Sequence, residues 1–148
     1  MEPLSILLES CLFFNTNALS RNLLKLAQME FNPLDISPAH ASLMLLVYDN
    51  PGISPKKLSQ SLHLTPSTIT RFMDVLVKKD LLIRKTKGKL AFIYPSANGL
   101  EFKAPIAQAY IRLYDRYTKI LGTQTALRLS HMQYKTNQIL AHALNDNE

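Results

Sequence analysis

Apolar residues recur every three or four positions through most of this chain, the spacing of helices that bury one face. Residues 4–29 carry Leu4, Leu7, Leu8, Cys11, Leu12, Phe14, Leu19, Leu23, Leu26 and Ala27 in that rhythm, and residues 97–121 carry Leu100, Ile106, Leu113, Tyr114, Tyr117 and Leu121. Gly122 suits a helix C-terminus and Thr123 the cap of a last helix to about 144. Pro105 lies inside the 97–121 rhythm, where its ring clashes with the carbonyl of Glu101 and predicts a kink, read as a pivot between two lobes.

The middle of the chain is punctuated differently. Ser37-Pro38, Ser54-Pro55 and Thr65-Pro66 each set a hydroxyl residue before a proline at the head of an apolar-periodic run. The hydroxyl oxygen accepts from an orphan helix N–H, and proline fits the first helical position because its missing N–H has no partner there. These starts predict helices over 38–49, 55–62 and 66–79. Only His63-Leu64-Thr65 separates the last two, a helix-turn-helix spacing. In 66–79 the stripe Ile69, Phe72, Met73 and Leu76 faces inward and leaves Ser67, Thr68, Thr70 and Arg71 outside. Leu82 to Thr86 and Leu90 to Tyr94 are short β-prone runs around a Lys87-Gly88 turn, and Pro95 ends the ladder. The order is that of a winged helix-turn-helix. The fold class expected is mainly α, with a two-stranded β-wing and long helices at both ends.

Charge sharpens this reading. The 148 residues carry 17 Lys and Arg against 11 Asp and Glu, a net +6. Nine of the basic residues fall within 51–95 against only Asp74 and Asp80, a local +7; the flanks hold eight basic and nine acidic residues. A positive field confined to one segment is an electrostatic footprint for polyphosphate. One cysteine excludes an intrachain disulfide and a thiolate-rich zinc site, and the four histidines show no metal-ligand spacing. Four glycines, with no phosphate loop, no paired carboxylates and no nucleophile beside a base, argue against an enzyme and against a cofactor. No apolar run approaches a bilayer span, and the N-terminus carries Glu2 and Glu9 where a signal peptide would be basic, which points to a cytoplasmic protein without membrane contact.

The segment Leu58 to Arg84, LSQSLHLTPSTITRFMDVLVKKDLLIR, is similar to the helix-turn-helix and first wing strand of the MarR family of transcriptional regulators, and Ile93 to Leu100, IYPSANGL, resembles the family's exit from the wing. The order of elements fits nearly the whole chain, read as one domain over 1–148: dimerisation helices at 4–29 and 97–145, and a DNA-binding lobe at 36–95. The resemblance implies a homodimer on a pseudo-palindromic operator of double-stranded DNA, a repressor released by a small-molecule effector. The wing departs from the family, which carries an Asp and a pair of Arg. Here it reads Arg84-Lys85-Thr86-Lys87-Gly88-Lys89, and Lys lacks the planar fork used in the minor groove.

Ser67, Thr68, Thr70 and Arg71 are the candidate base readers, because the first turns of a recognition helix face the major groove. Arg71 suits a bidentate grip on guanine; its alternative is a pair with Asp74 at i,i+3. Lys56 and Lys57 occupy a helix N-terminus, where cations are disfavoured unless a phosphate approaches. Arg84, Lys85, Lys87 and Lys89 are candidate backbone clamps, or else a solvated strand edge. Lys78 and Lys79 lie at a helix C-terminus that favours cations anyway and earn no site status. Tyr110, Tyr114 and His40 are candidate ligand-pocket residues, with Tyr117 beside them; helix-spaced aromatics are otherwise core or interface. Cys11 falls on the apolar stripe, where a buried inert thiol is the default. One branch of the family senses organic hydroperoxide through a first-helix cysteine supported by tyrosines, but residues 1–47 contain no Tyr and Glu9 is the nearest charge. A DNA-binding regulator is the reading adopted. The alternatives are a winged-helix adaptor for an acidic protein and a Cys11-based redox regulator.

Overall fold

A computed structural model describes residues 3–146, so expectations touching Met1, Glu2, Asn147 and Glu148 lie outside the described residues. The chain is mainly helical with one two-stranded antiparallel sheet. It groups into two compact units, one ending at Tyr110 and the next beginning at Ile111.

The N-terminal rhythm forms two helices rather than one: α1, Ile6–Glu9, and α2, Leu12–Phe31. The break falls at Cys11, whose backbone is extended (φ −80°, ψ 111°) and whose Sγ accepts from the Phe14 N–H at 3.5 Å. The Asn15 amide closes the gap by donating to the Glu9 carbonyl at 3.0 Å. Cys11 is thus a half-buried helix cap, not the buried member of a continuous stripe. Past α2 the chain tightens into a single 3-10 turn, Asn32–Leu34, and leaves it through Asp35 in the left-handed region.

The three hydroxyl-proline starts open α3 (Pro38–Asp49), α4 (Pro55–Leu62) and α5 (Pro66–Lys78). Their caps form: Ser37 accepts from His40 N–H, Ser54 from Lys57 N–H and Thr65 from Thr68 N–H, at 3.1, 3.2 and 3.4 Å. Between α4 and α5, His63 turns left-handed and Leu64 N–H reaches back to the Ser59 carbonyl at 3.1 Å. The Ser59 hydroxyl donates to the Leu64 carbonyl from the other side, so both ends of the turn are held by one residue. After α5, Asp80 is left-handed, with Leu81 N–H on the Leu76 carbonyl at 2.9 Å and Asp80 N–H on Val77 at 3.0 Å, a Schellman ending with Asp in the place usually taken by Gly.

The wing comprises β1, Leu82–Lys87, and β2, Leu90–Pro95, in register from Leu82↔Pro95 to Lys87↔Leu90. Its two-residue turn is Gly88-Lys89, not Lys87-Gly88. Only Gly88 there has positive φ (61°), which suits the first position of a primed hairpin turn. An isolated bridge joins Ile53 to Ile93, tying the α3–α4 loop to β2. Phe31, Leu43, Met44, Leu58, Ile69, Met73, Leu76 and Ile93 fill the core beneath these elements; Ile106 completes it.

The chain leaves the wing through α6, Ala97–Glu101, and α7, Lys103–Leu121, with a break at Phe102. Pro105 is therefore not in mid-helix. It occupies the first turn of α7, where its missing N–H costs nothing, and the helix has yielded three residues upstream. The division between the two compact units falls at Tyr110 and Ile111. The second unit comprises the remainder of α7 and α8, Thr123–Asn145, whose cap is Gly122 rather than Thr123.

Gly99 of α6 lies against the Leu81 backbone just past α5: a Cβ built there would run into the Leu81 carbonyl oxygen. The Tyr48 hydroxyl donates to the Gly99 carbonyl at 2.5 Å. Gly99→Ala should therefore destabilise the fold by about 3 kcal/mol or more, read from the urea midpoint. Burial pushes the Tyr48 phenol up to about 12, against about 10 for an unfolded tyrosine. Because the folded value is the higher, the neutral phenol's contribution is fully present below about pH 10 and is lost as pH climbs to about 12. Unfolding free energy should fall across that window, and Tyr48→Phe should remove this part of the slope.

Candidate nucleic-acid interface

The first turns of α5 expose Ser67, Thr70 and Arg71, while Thr68 is half-buried. Proline at the first helical position and a Thr cap one residue earlier put these side chains at the helix mouth. Their hydroxyls are already engaged. The Thr65 Oγ1 lies 3.2 Å from Ser67 Oγ and 3.0 Å from Thr68 Oγ1, and Thr70 Oγ1 donates to the Pro66 carbonyl at 3.0 Å. Arg71 donates from Nη2 to Thr68 Oγ1 at 3.3 Å. Thr68, not Asp74, holds the guanidinium in the free chain.

α4 and β1 both pack against α5. Lys56 and Lys57 are exposed in the first turn of α4, on the backbone N–H end that Ser54 caps. Arg84, Lys85, Lys87 and Lys89 are exposed too, but the pleat separates them. Successive side chains on a strand point to opposite faces, so Arg84 lies on one side of the ribbon and Lys85 with Lys87 on the other, with Lys89 in the turn. The Lys85 ammonium sits 5.0 Å above the Tyr94 ring, a cation–π contact that steadies it. A wing of this kind presents charge on both flanks.

The candidate pocket residues are not brought together as expected. His40 lines an open cavity of about 410 Å³ with Asn32, Asp35, Ile36, Ser37, Val75 and Lys79, and neither Tyr110 nor Tyr114 is part of it. The His40 ring stands edge-on to Phe72 of α5, centroids 4.5 Å apart. Burial, and then the nearby Lys79 charge, hold its pKa below the ordinary 6.5. Tyr110 belongs to the packing. Its hydroxyl shares a 2.6 Å hydrogen bond with Ser42, its ring meets Phe31 edge-on at 4.9 Å, and burial raises its pKa. Tyr114 is exposed and pairs with Tyr117 at 5.6 Å. Cys11 accepts one backbone N–H at its cap.

Lys79 is the residue that sequence reasoning passed over. Its Nζ donates to both the carbonyl and the Oδ2 of Asp35, at 2.5 and 3.0 Å, fixing the C-terminal end of α5 to the α2–α3 junction. Forty-four positions separate the two residues, so no local pattern signals the contact. Among the described residues, no cluster of His, Cys, Asp and Glu could hold a metal ion, and no helix is long and apolar enough to cross a membrane.

A capped helix-turn-helix with a basic two-stranded ribbon defines a winged-helix protein. Residues 36–88 match the model of the MarR family. A curated relative, the uncharacterised HTH-type transcriptional regulator YhbI of Bacillus subtilis (strain 168), is 30% identical over 73 residues, which span 49% of this chain and 47% of that protein, about half its length. Among solved structures, the transcriptional repressor CouR on a 23-mer DNA duplex superposes with a TM-score of 0.77 at 20% identity, covering 93% of this chain and 99% of CouR. CouR with p-coumaroyl-CoA gives the same TM-score. A mutant MarR from E. coli complexed with operator DNA gives 0.76 at 20% identity, over 91% and 99% of the two chains. At these identities the structures establish the fold.

Removing the Lys79 charge should relieve the smaller of the two causes acting on His40. Lys79→Met should raise the His40 pKa without restoring it to 6.5, because burial persists; a ring-proton NMR titration measures the change.

Proposed function

We propose that this chain is a homodimeric, sequence-specific regulator that binds double-stranded DNA as a repressor. The observation that carries the reading is one continuous stretch of sequence. Exposed Ser67, Thr70 and Arg71 stand at the mouth of α5, with Lys56 and Lys57 on α4 and the wing cations on β1 and its turn, the two elements that pack against it. The first set is of the kind that reads base edges; the second is of the kind that grips phosphates. In this reading α5 enters the major groove, and the Lys-rich wing rests on the sugar-phosphate backbone. Chromosomal DNA as the partner goes with a cytoplasmic protein and with no catalytic residue to assign.

The second copy is called for by the ends of the chain. Leu4, Leu7, Leu12 and Phe13, and Met132, Ile139 and Leu144 on α8, are all more than half exposed. Apolar surface on this scale marks an interface, and a copy of the same chain gives the two-fold symmetry that a pseudo-palindromic operator needs. We assign the cavity beside His40 and Lys79 to a small-molecule effector. Two of its walls, Val75 on α5 and Lys79 at that helix's C-cap, move with α5, so an occupant would have unequal affinity for two settings of that helix, the requirement for shifting between them.

Binding to duplexes selected from a random pool tests the reading. Log affinity should fall with log salt at a slope of about −0.9 per phosphate contact. Lys87→Ala removes one contact from each subunit and should flatten the slope of the dimer by about two units, and Arg71→Ala should cost about 1–3 kcal/mol of discrimination at one base pair per half-site. A flat slope, or selected sites without two-fold symmetry, would sink it.

A further inference from the structure

We propose that Thr68 is a positioning residue that aims Arg71, and not itself a reader of bases. The inference rests on α5 as the DNA-reading helix and assigns the division of labour within it. A guanidinium can only donate, so Thr68 Oγ1 is the acceptor of the 3.3 Å bond from Arg71 Nη2. That oxygen lies 3.0 Å from Thr65 Oγ1, which accepts the Thr68 backbone N–H at 3.4 Å and lies 3.2 Å from Ser67 Oγ. The helix cap, the half-buried threonine and the arginine form one connected set. Each additional bond removes rotamers from the next side chain, ending with the longest one. Arginine otherwise gives up considerable side-chain freedom when it docks. Here part of that freedom is already gone in the free protein, and the remaining N–H groups of the guanidinium stay available for a guanine edge.

The neighbouring hydroxyls support this assignment. Thr70 has its proton committed to the Pro66 carbonyl, which leaves Arg71 as the principal donor on the exposed face. The Thr68 hydroxyl receives Arg71 and shares a proton with Thr65, so two of its three hydrogen-bonding positions are taken within the helix and one at most is left for a base edge. An arrangement of this kind makes the preference at one base pair depend on a side chain that touches no base. It also predicts that the hydroxyl, not the shape, of residue 68 matters. Thr68→Val keeps the branched shape and the cap N–H while deleting the acceptor; Thr68→Ser keeps the acceptor.

The experiment compares the wild-type chain and the variants Thr68→Val, Thr68→Ser and Arg71→Ala, on the duplex that the wild-type chain selects and on its single-base substitutions. Thr68→Val should lower affinity for the preferred duplex by about three- to tenfold, lose that preference mainly at the base pair affected by Arg71→Ala, and leave the salt slope unchanged. Thr68→Ser should restore the preference. In the free protein, 15N relaxation of the Arg71 guanidinium should show faster motion in Thr68→Val than in wild type or Thr68→Ser. Uniform loss across all duplexes, an unchanged base preference, or unchanged Arg71 motion overturns the proposal. Failure of the DNA-reading assignment itself has a different signature: the wild-type chain would select no duplex at all.

Discussion

The close approach of Gly99 to the Leu81 carbonyl is the constraint on which the placement of the wing depends. Five elements meet there. The Leu81 carbonyl accepts from Ser96 N–H at 3.1 Å, the Ser96 hydroxyl donates to Asp80 at the end of α5, and the same hydroxyl oxygen accepts from Gly99 N–H at 2.8 Å. Tyr48 arrives from α3 to occupy the Gly99 carbonyl. Ser96 is buried with its polar atoms satisfied, which is the condition for a polar group to strengthen a core rather than weaken it. Leu81 and Ser96 flank Leu82 and Pro95, the first pair of the ladder. The base of the ribbon is thereby fixed to the end of α5, α3 and α6 at once, whereas its tip at Gly88 meets nothing within 4 Å of a built Cβ.

The helix-turn-helix is held by equally local means. Ser59 alone supplies a carbonyl acceptor and a hydroxyl donor to Leu64, which closes the turn without glycine, at the cost of a left-handed His63. The Ile53–Ile93 bridge then attaches the wing to the loop before α4. Short-range hydrogen bonds therefore set the relation between α4, α5 and the ribbon, and the apolar core of Leu58, Ile69, Met73 and Leu76 fills in behind them. A surface meant to match a rigid ligand gains from this, because the ordering entropy is largely spent before the ligand arrives.

What the sequence made legible is what is encoded locally. A hydroxyl before a proline is a cap and a first turn together, and all three such signals mark helices that start where they indicate. The glycine in the hairpin announces a turn, but either loop position of a primed turn accepts it, so glycine alone does not distinguish Lys87-Gly88 from the Gly88-Lys89 turn that forms. The break at Cys11 depends on Asn15 reaching back to Glu9 across an unbroken apolar rhythm, which periodicity does not register. Pro105 was visible as a disruption; that the helix would restart beneath it, placing the proline harmlessly in a first turn, depended on Phe102 giving way. The site divides similarly. Its basic and hydroxyl residues could be named from position on the helix, but their partners could not. Thr68 as the acceptor for Arg71, Tyr110 tied into the core through Ser42, and Lys79 bonded to Asp35 are all products of packing.

The segregation of charge has a kinetic consequence. With a net +7 in residues 51–95 and nearly balanced charge elsewhere, the positive charge is concentrated on α4, α5 and the wing rather than spread along the chain. A polyanion's field exerts a torque on such a molecule over distances of about a Debye length, roughly 8–10 Å in physiological salt. Charge placed in this way turns a molecule in such a field before it touches, so a larger fraction of collisions arrive with the charged segment leading. Orientation ordinarily lowers protein association rates well below the diffusion limit, and this bias recovers part of that loss. Spreading the same number of lysines evenly over the surface would retain the attraction and forfeit the alignment.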